Sequence, residues 1–220
     1  MEAALEHRRL RLGSLPDCRT VVCVAGGSSF TAAQARLLGM AAHRGIIIIA
    51  INDAIYPCWF ANMLYACDPQ WWDLHWESLQ PWRYGGGHRV SLGVAREGHP
   101  FAPNHSDVWW VECSGTDGWD DDPDKIRSGG NSGYQAIQIA VKGFRPEKVI
   151  LVGYDMQGKH FFGDHPAQIR MHPNMNTWVQ GYNELGNILD RRGVRVVNAS
   201  PGSALKRFPA VDLAAALAEA

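Results

Sequence analysis

The fold is decided by one stretch of the chain, residues 20–51, which reads TVVCVAGGSSFTAAQARLLGMAAHRGIIIIAI. It begins with an apolar run, Thr20 to Ala25, that ends at a glycine pair, and this pattern predicts a strand followed by a tight turn. Ala, Leu and Met then recur at helical spacing from Thr31 to His43, and a second apolar run covers Ile46 to Ile51. The order strand, helix, strand predicts a parallel β-α-β unit.

The same periodicities continue along the chain. They predict further strands at Met63 to Cys67, Arg89 to Val94, Val108 to Glu112, Lys148 to Val152 and Val194 to Val197. They predict helices at Gln70 to Trp82, Asn131 to Val141, Thr177 to Arg192 and Leu213 to Ala220. Because strands and helices alternate, we expect an α/β fold with a doubly wound, Rossmann-like, mostly parallel sheet and helices on both faces.

Composition and charge exclude several classes of protein. With 220 residues, 46% of them hydrophobic, and a formal net charge of -1, the chain has an ordinary globular composition and offers no electrostatic case for binding nucleic acid. The five cysteines are odd in number and lack C-x-x-C spacing, which favours a reducing compartment over a disulfide framework. No apolar signal region or membrane-length run is present in the sequence, so we expect a cytoplasmic protein without membrane contact.

Small and polar residues follow the predicted strands, at the edge where ligands bind in such sheets. They are Gly26, Gly27, Ser28 and Ser29; Asn52 and Asp53; Asp68; Gly153, Tyr154 and Asp155; and Asn198 to Ser203. A glycine-rich loop before a helix can offer backbone N–H groups to an anion, and the segment Ser128 to Gly133 is a second such helix entry. Two glycine-rich entries on one sheet predict a nucleotide site.

Several side chains near these strand ends have more than one interpretation. Asp155 could bind a ribose hydroxyl, ligate a metal or cap a turn. The nearby histidines 160, 165 and 172 could ligate a metal, but their spacing matches no zinc pattern, and a general base is the better use for His172.

Two further clusters are ambiguous in the same way. The acidic run Asp120 to Asp122 could bind magnesium together with Asp124, or form a solvated loop. The tryptophans at 71, 72, 76 and 82 could stack on a base, although core packing is the default for aromatics at this spacing.

A family resemblance rests on the order of six motifs. The motifs are VVCVAGGSSF, AIND, YACDP, SGGNSGYQAIQIAVKGFRPEKVILVGYDM, MHPNMNTWVQGYNELGNIL and RVVNASPGSAL. In this order the chain resembles the bacterial lipooligosaccharide sialyltransferases and the related domain of archaeal 6-hydroxymethyl-dihydropterin diphosphokinases and uncharacterised phage proteins. The similarity spans Val21 to Pro209, and Trp71 to Arg127 matches poorly. We therefore expect residues 1–220 to form one Rossmann-like nucleotide-binding domain in which 71–127 is a variable insertion region.

The resemblance implies a role for each matching residue. Nucleotide or donor contacts are implied for Gly27, Ser29, Asn52, Asp68, Asn131, Ser132, Gly133, Asp155, Met156, Pro201 and Ser203. Gly26 and Ser28 are expected to bind as parts of the same glycine-rich loop, although Gly26 stands where the sialyltransferases carry asparagine. His172 falls where the sialyltransferases keep their catalytic histidine. Gln157 replaces a tyrosine that helps the phosphate leave, and a second such tyrosine falls near His160. Arg127 lies two positions from the family's donor-site arginine.

These features together predict a transferase that uses a nucleotide. The first expectation is a glycosyltransferase that moves a sugar from a nucleotide-sugar donor to a hydroxyl acceptor, with no obligatory metal and with His172 as the base. One alternative is a Mg-dependent diphosphokinase that transfers pyrophosphate from ATP to a pterin-like alcohol, with Asp68, Asp155 and the acidic loop holding the ion. The other is a non-catalytic nucleotide-binding phage protein. The expected partners are a small-molecule nucleotide and its acceptor.

Overall fold

The computed structural model describes residues 9–83, 90–96, 108–157, 159–163 and 174–220. Within these residues one sheet contains eight strands, and every neighbouring pair is parallel. The strands are β1 Thr20–Val24, β2 Ile47–Ile51, β3 Met63–Tyr65, β4 Val90–Arg96, β5 Trp109–Cys113, β6 Lys125–Ile126, β7 Lys148–Val152 and β8 Arg195–Asn198. Their order across the sheet is β6-β5-β4-β3-β2-β1-β7-β8.

Helices cover both faces of this sheet. They are α1 Ala32–Ala42, α2 Pro69–His75, α3 Gln80–Arg83, α4 Ser132–Phe144, α5 Met175–Arg191 and α6 Leu213–Ala218. Side chains alternate between the faces, so Val21 and Cys23 of β1 pack with α4 and α5, while Val22 and Val24 pack with α1, α2 and α6. The predicted doubly wound α/β architecture is confirmed.

The strand order reverses at β1, and this reversal positions the candidate site. Successive strands run from β1 outward to β2 and β3, whereas β7 and β8 lie on the other side of β1. The loops that follow β1 and β7 therefore lead to helices on different sides, and a crevice opens at the carboxyl ends of the two strands.

Helix α4 extends past its expected end. The sequence suggests that Gly143 closes this helix, but α4 continues to Phe144, and Arg145 takes the left-handed conformation at φ 48°. Gly143 instead lies against the side chain of Leu15, where a Cβ would approach Cδ1 to 2.9 Å. The Arg145 side chain is bound by the Asp17 carboxylate and the Leu15 carbonyl, which hold the unusual backbone in place.

The middle of the chain extends the sheet. Strands β4, β5 and β6 add three parallel strands beyond β3, although β6 is only two residues long. The tryptophan-rich segment, expected as one helix, is divided into α2, the 3-10 turn Glu77–Leu79 and α3. Trp71, Trp72 and Trp82 are buried in the core, as the core-packing interpretation expects.

Candidate functional site

A cavity of about 310 Å³ lies at the carboxyl ends of β1, β2, β3 and β7. Nine of the residues expected from the sequence line it: Gly26, Gly27, Asn52, Asp68, Asn131, Ser132, Gly133, Asp155 and Met156. Four others, Ser28, Ser29, Pro201 and Ser203, are not among its lining residues. The expected base, His172, falls outside the described residues.

The loop after β1 is held by acceptors of the protein itself. The N–H groups of Gly27 and Ser28 donate to the carbonyls of Gly153 (2.8 Å) and Lys159 (3.1 Å). Ser29 N–H donates to Asp155 Oδ2 at 2.8 Å, and Phe30 N–H donates to the Gly27 carbonyl at 3.0 Å. These four donors are therefore occupied, and they are not the phosphate ligands that the glycine-rich sequence suggests.

Asp155 joins the loop after β7 to the loop after β1. Its carboxylate accepts hydrogen bonds from both hydroxyls of Ser28 and Ser29 and from the Ser29 N–H, and the residue is only 6% exposed. A Cβ on Gly27 would come within 2.6 Å of Asp155 Cγ, so glycine is required for this close approach. Asp155 thus caps the turn after β1 and also lines the cavity, and its contact to a nucleotide stays a prediction.

The entry to α4 keeps free donors. Asn131 caps the helix, because its Oδ1 accepts from Tyr134 N–H at 3.2 Å and from the Tyr182 hydroxyl at 2.7 Å. The N–H groups of Ser132 and Gly133, the first two residues of the helix, have no acceptor among the described residues, and both residues line the cavity. Unpaired N–H groups at a helix N-terminus attract anions.

Buried tyrosines form the support beneath this helix entry. The Tyr154 hydroxyl donates to the Gly133 carbonyl at 3.1 Å, and the rings of Tyr134, Tyr154 and Tyr182 pack edge to face. Burial raises the pKa of Tyr134 to about 12 and holds the pKa values of the other two well above the usual range. All three hydroxyls therefore stay protonated at neutral pH.

The turn after β8 has a supporting role that the sequence does not reveal. The Ser203 hydroxyl donates to the Tyr154 carbonyl at 2.6 Å and accepts from Asn198 Nδ2 and Leu205 N–H at 2.9 and 3.0 Å. This buried hydroxyl is fully engaged within the protein, whereas Pro201 is exposed. The structure gives Ser203 a supporting contact to Tyr154, and the donor contact expected at Pro201 and Ser203 stays a prediction.

Two polar side chains of the lining keep their hydrogen-bonding capacity. No described residue is hydrogen bonded to the side chain of Asn52 or of Asp68, and Asp68 makes no side-chain cap at the start of α2. Asn52 and Met156 both have left-handed backbones, at φ 52° and 50°, which are costly outside glycine and concentrate at functional sites.

Several residues of the lining were not singled out by sequence reasoning. They are Lys159, Phe162, Trp178, Cys67, Gln135 and Met175. Trp71, His160 and Gln157 also line the cavity, and the sequence had offered each of them only with other interpretations. Half-buried Trp178 lies in the first turn of α5, where its Nε1 would be 3.2 Å from a Cβ on Gly130. Its helical spacing indicated packing alone. Trp178 lies one turn after Asn174, the residue that caps the start of α5. A residue at the start of a helix that follows a strand-end loop lies near that loop, and this position could have indicated a role in the site.

Asp53 acts on the cavity through Trp71. The buried Asp53 carboxylate accepts from Trp71 Nε1 at 3.0 Å, and the Trp71 ring stacks on His75 at 4.5 Å. Burial lowers the pKa of His75, which favours its neutral form. Asp53 and His75 together fix the tryptophan that forms one wall of the cavity.

The acidic loop is neutralised by basic side chains and lies away from the cavity. Lys142 Nζ donates to the carbonyls of Asp120, Asp122 and Lys125 at 2.6, 2.7 and 2.6 Å. Arg127 pairs with Asp120 at 3.2 Å and is not among the lining residues of the cavity. Lys142 is ten residues beyond Ser132, about 15 Å along α4. The described residues hold no group of three or more potential metal ligands. A magnesium site shared by the loop, Asp68 and Asp155 stays a prediction of the diphosphokinase alternative.

Comparisons with known proteins concern the fold. No family model and no curated protein matches the sequence. The chain is similar to the solved structure of the MAf glycosyltransferase from Magnetospirillum magneticum AMB-1, with a TM-score of 0.63 and 13% sequence identity over 96% of this chain. It spans 37% of the length of that protein. In the described part of the chain no helix has the length and apolar character needed to cross a bilayer. The likeness to the solved MAf structure shows that the protein has an α/β fold like that of a glycosyltransferase.

Proposed function

We propose that the protein is a nucleotide-utilising transferase that moves a sugar from a nucleotide-sugar donor to a hydroxyl acceptor. One observation carries the proposal: unpaired helix N–H groups, an aromatic wall and uncommitted polar side chains meet in one cavity at the strand-order reversal. This is the place where doubly wound folds bind nucleotides. The likeness to a glycosyltransferase of the same fold supports the class of reaction.

The lining suggests how the donor binds. The N–H groups of Ser132 and Gly133 are suited to a phosphate. Half-buried Trp178 offers an aromatic surface for a base or a sugar. The free amide of Asn52 and carboxylate of Asp68 are suited to hydroxyl groups of a ribose or of the transferred sugar.

The reaction itself needs a base and a stabilised leaving group. The acceptor oxygen forms a bond to the anomeric carbon while the bond from that carbon to the phosphate oxygen breaks, and the electron pair of that bond remains on the phosphate. The acceptor proton passes to a general base, for which His172 remains our prediction. Hydrogen-bond donors at the start of α4 would stabilise the charge that develops on the phosphate.

The two alternatives predict other outcomes. A diphosphokinase that used the acidic loop for magnesium is less favoured, because Lys142 donates to a carbonyl of this loop and Arg127 pairs with Asp120. A nucleotide-binding protein without catalysis would bind the donor and release no product. The partners we propose are small molecules, and a cytoplasmic location stays a prediction.

The test begins with binding. Calorimetric titrations with CMP, UDP, GDP and ATP, each with and without Mg²⁺, should identify a nucleotide that binds without Mg²⁺. Trp178→Ala should weaken its binding about 5- to 150-fold, as expected for a lost stacking surface. Trp109→Ala is the control, since Trp109 is 40% exposed and does not line the cavity.

Turnover is measured with the sugar conjugates of that nucleotide. Mass spectrometry should detect release of the free nucleotide, and His172→Ala should abolish the release without changing affinity. Failure of every nucleotide to bind would refute the proposed function. Binding that strictly needs ATP and Mg²⁺, followed by pyrophosphate transfer, would favour the diphosphokinase.

A further inference from the structure

The charges that line the cavity are unevenly distributed. Among its described lining residues, the carboxylates belong to Asp68 and Asp155, and Lys159 is the one with a fixed positive charge. The Asp155 carboxylate is bound by serine hydroxyls and an N–H group rather than by a cation. A phosphate in this cavity would therefore meet negative charge that the partial charge at the start of α4 offsets only in part.

The backbone that carries Lys159 is well anchored. The Lys159 carbonyl accepts from Ser28 N–H at 3.1 Å, and Phe161 N–H donates to the Gly26 carbonyl at 2.9 Å. Between these two bonds, His160 forms an antiparallel bridge with Gly27. The Phe161 ring packs edge to face on Phe30, with the ring centroids 5.5 Å apart. The segment Lys159–Gly163 is thus paired to the loop after β1.

This anchoring leaves the Lys159 side chain available at the mouth of the cavity. The residue is exposed, and its ammonium group has no ion pair or hydrogen bond with any described residue. A lysine on a fixed backbone with a long, mobile side chain can follow a phosphate through binding and departure. Arg127, the other candidate, is held by Asp120 and the Ser114 carbonyl.

The geometry points to Lys159 as the residue that neutralises the phosphate of the bound donor and stabilises the leaving nucleotide. The inference rests on the proposed function and adds to it the source of positive charge. When the bond between anomeric carbon and phosphate oxygen breaks, the electron pair stays on that oxygen, and the Lys159 ammonium group donates a hydrogen bond to the phosphate without giving up its proton. The ligand we propose is therefore a nucleoside phosphate ester, and the Lys159 ammonium group offsets the negative charge of its phosphate.

The experiment compares ligands with and without phosphate. Wild type, Lys159→Met and Lys206→Met are titrated with CMP, UDP and GDP, and with cytidine, uridine and guanosine, at one ionic strength. Lys206 is also exposed and does not line the cavity, so its variant controls for the loss of one positive charge. We expect Lys159→Met to weaken nucleotide binding at least about tenfold, and to change nucleoside binding less than about twofold.

Turnover of the matching nucleotide sugar supplies a second readout. Lys159→Met should lower kcat about a hundredfold, Lys159→Arg should recover part of it, and Lys206→Met should equal wild type. Equal nucleotide affinities in wild type and Lys159→Met would overturn the inference, as would a defect that Mg²⁺ repairs or one that extends equally to nucleosides. If wild type binds no nucleotide at all, the proposed function fails first, and the inference fails with it.

Discussion

At the scale of single residues, Gly133 shows how tightly the helix entry is built. A Cβ at this position would lie 2.6 Å from the Tyr182 hydroxyl and 2.9 Å from both Asn131 Oδ1 and Tyr154 Cε1. All three neighbours are fixed by hydrogen bonds of their own, so none can move away cheaply. The cap of α4 and the buried tyrosines therefore leave room only for glycine.

Gly133→Ala should consequently lower the free energy of unfolding by about 1–3 kcal/mol, the usual cost of overpacking. Gly181→Ala is the matched control in helix α5, because its Cβ would meet only Tyr134 Cε2 at 3.8 Å. Alanine there should be neutral or stabilise by up to about 1 kcal/mol. Urea unfolding measures both variants, and equal stabilities would show that the helix entry is looser than described.

At the scale of elements, Lys142 ties the acidic loop to the last turn of α4. Its ammonium group is buried and donates to three carbonyls of the loop, while the indole of Trp119 lies 4.6 Å from Nζ. The lysine thus satisfies three carbonyls of the loop at once. The loop is part of the scaffold that connects β5 and β6 to α4.

Replacing this lysine should leave the loop carbonyls without their donor. We expect Lys142→Met to destabilise the protein by about 1–3 kcal/mol and to speed hydrogen exchange at the amides of Asp122 and Asp124. Lys125→Met, which breaks a solvent-screened pair with Glu112, should change the stability much less than Lys142→Met does. Stabilisation of wild type by Mg²⁺ that disappears in Asp120→Asn would contradict this picture and restore the loop as a metal site.

At the scale of the whole molecule, the buried tyrosines link stability to alkaline pH. The folded pKa of Tyr134 is about 12 and those of Tyr154 and Tyr182 are higher than usual, whereas in the unfolded chain these groups ionise near pH 10. Their contribution to stability is therefore complete below about pH 10 and is lost as the pH rises through the folded pKa values, because only the unfolded state releases the protons.

Unfolding free energy should thus fall steadily above about pH 10. The tyrosinate absorbance should rise in a step that coincides with loss of the near-ultraviolet circular dichroism. Replacing Tyr134, Tyr154 and Tyr182 together by Phe should remove most of this step, provided that the variant folds. Ionisation of all tyrosines near pH 10 with native circular dichroism intact would contradict this link between burial and alkaline stability.

Much of the architecture could be predicted because its signals are local. The apolar run Lys148–Val152 forms β7 with the expected bounds, and α5 differs from its expected range by two residues at the start and one at the end. The helix entry at Asn131 was recognisable from its cap and glycines. In contrast, Lys159 and Phe162 reach the cavity only because their segment pairs with Gly26 and Gly27, residues distant in sequence.

The sequence does not show which polar residues after a strand bind a ligand and which support the fold. Asp155 and Ser203 look alike in sequence, as polar groups at strand ends, and the structure uses both for internal hydrogen bonds. Asp68, in a similar position, keeps a carboxylate with no hydrogen-bond partner among the described residues. Whether a polar side chain after a strand hydrogen bonds within the protein depends on its neighbours in the folded structure, and a local sequence pattern does not contain that information.

The central claim is that a nucleotide fills the cavity between the start of α4 and the segment Lys159–Gly163, and cysteine protection tests it most directly. Cys67 lines this cavity beside Ser132 Oγ at 3.1 Å, while the equally half-buried Cys18 lies before β1, at the opposite edge of the sheet. Alkylation by iodoacetamide, followed by mass spectrometry, gives both rates in one sample. We predict that a binding nucleotide slows modification of Cys67 and leaves Cys18 unchanged. Saturating nucleotide that slows neither cysteine, or both alike, would contradict the account.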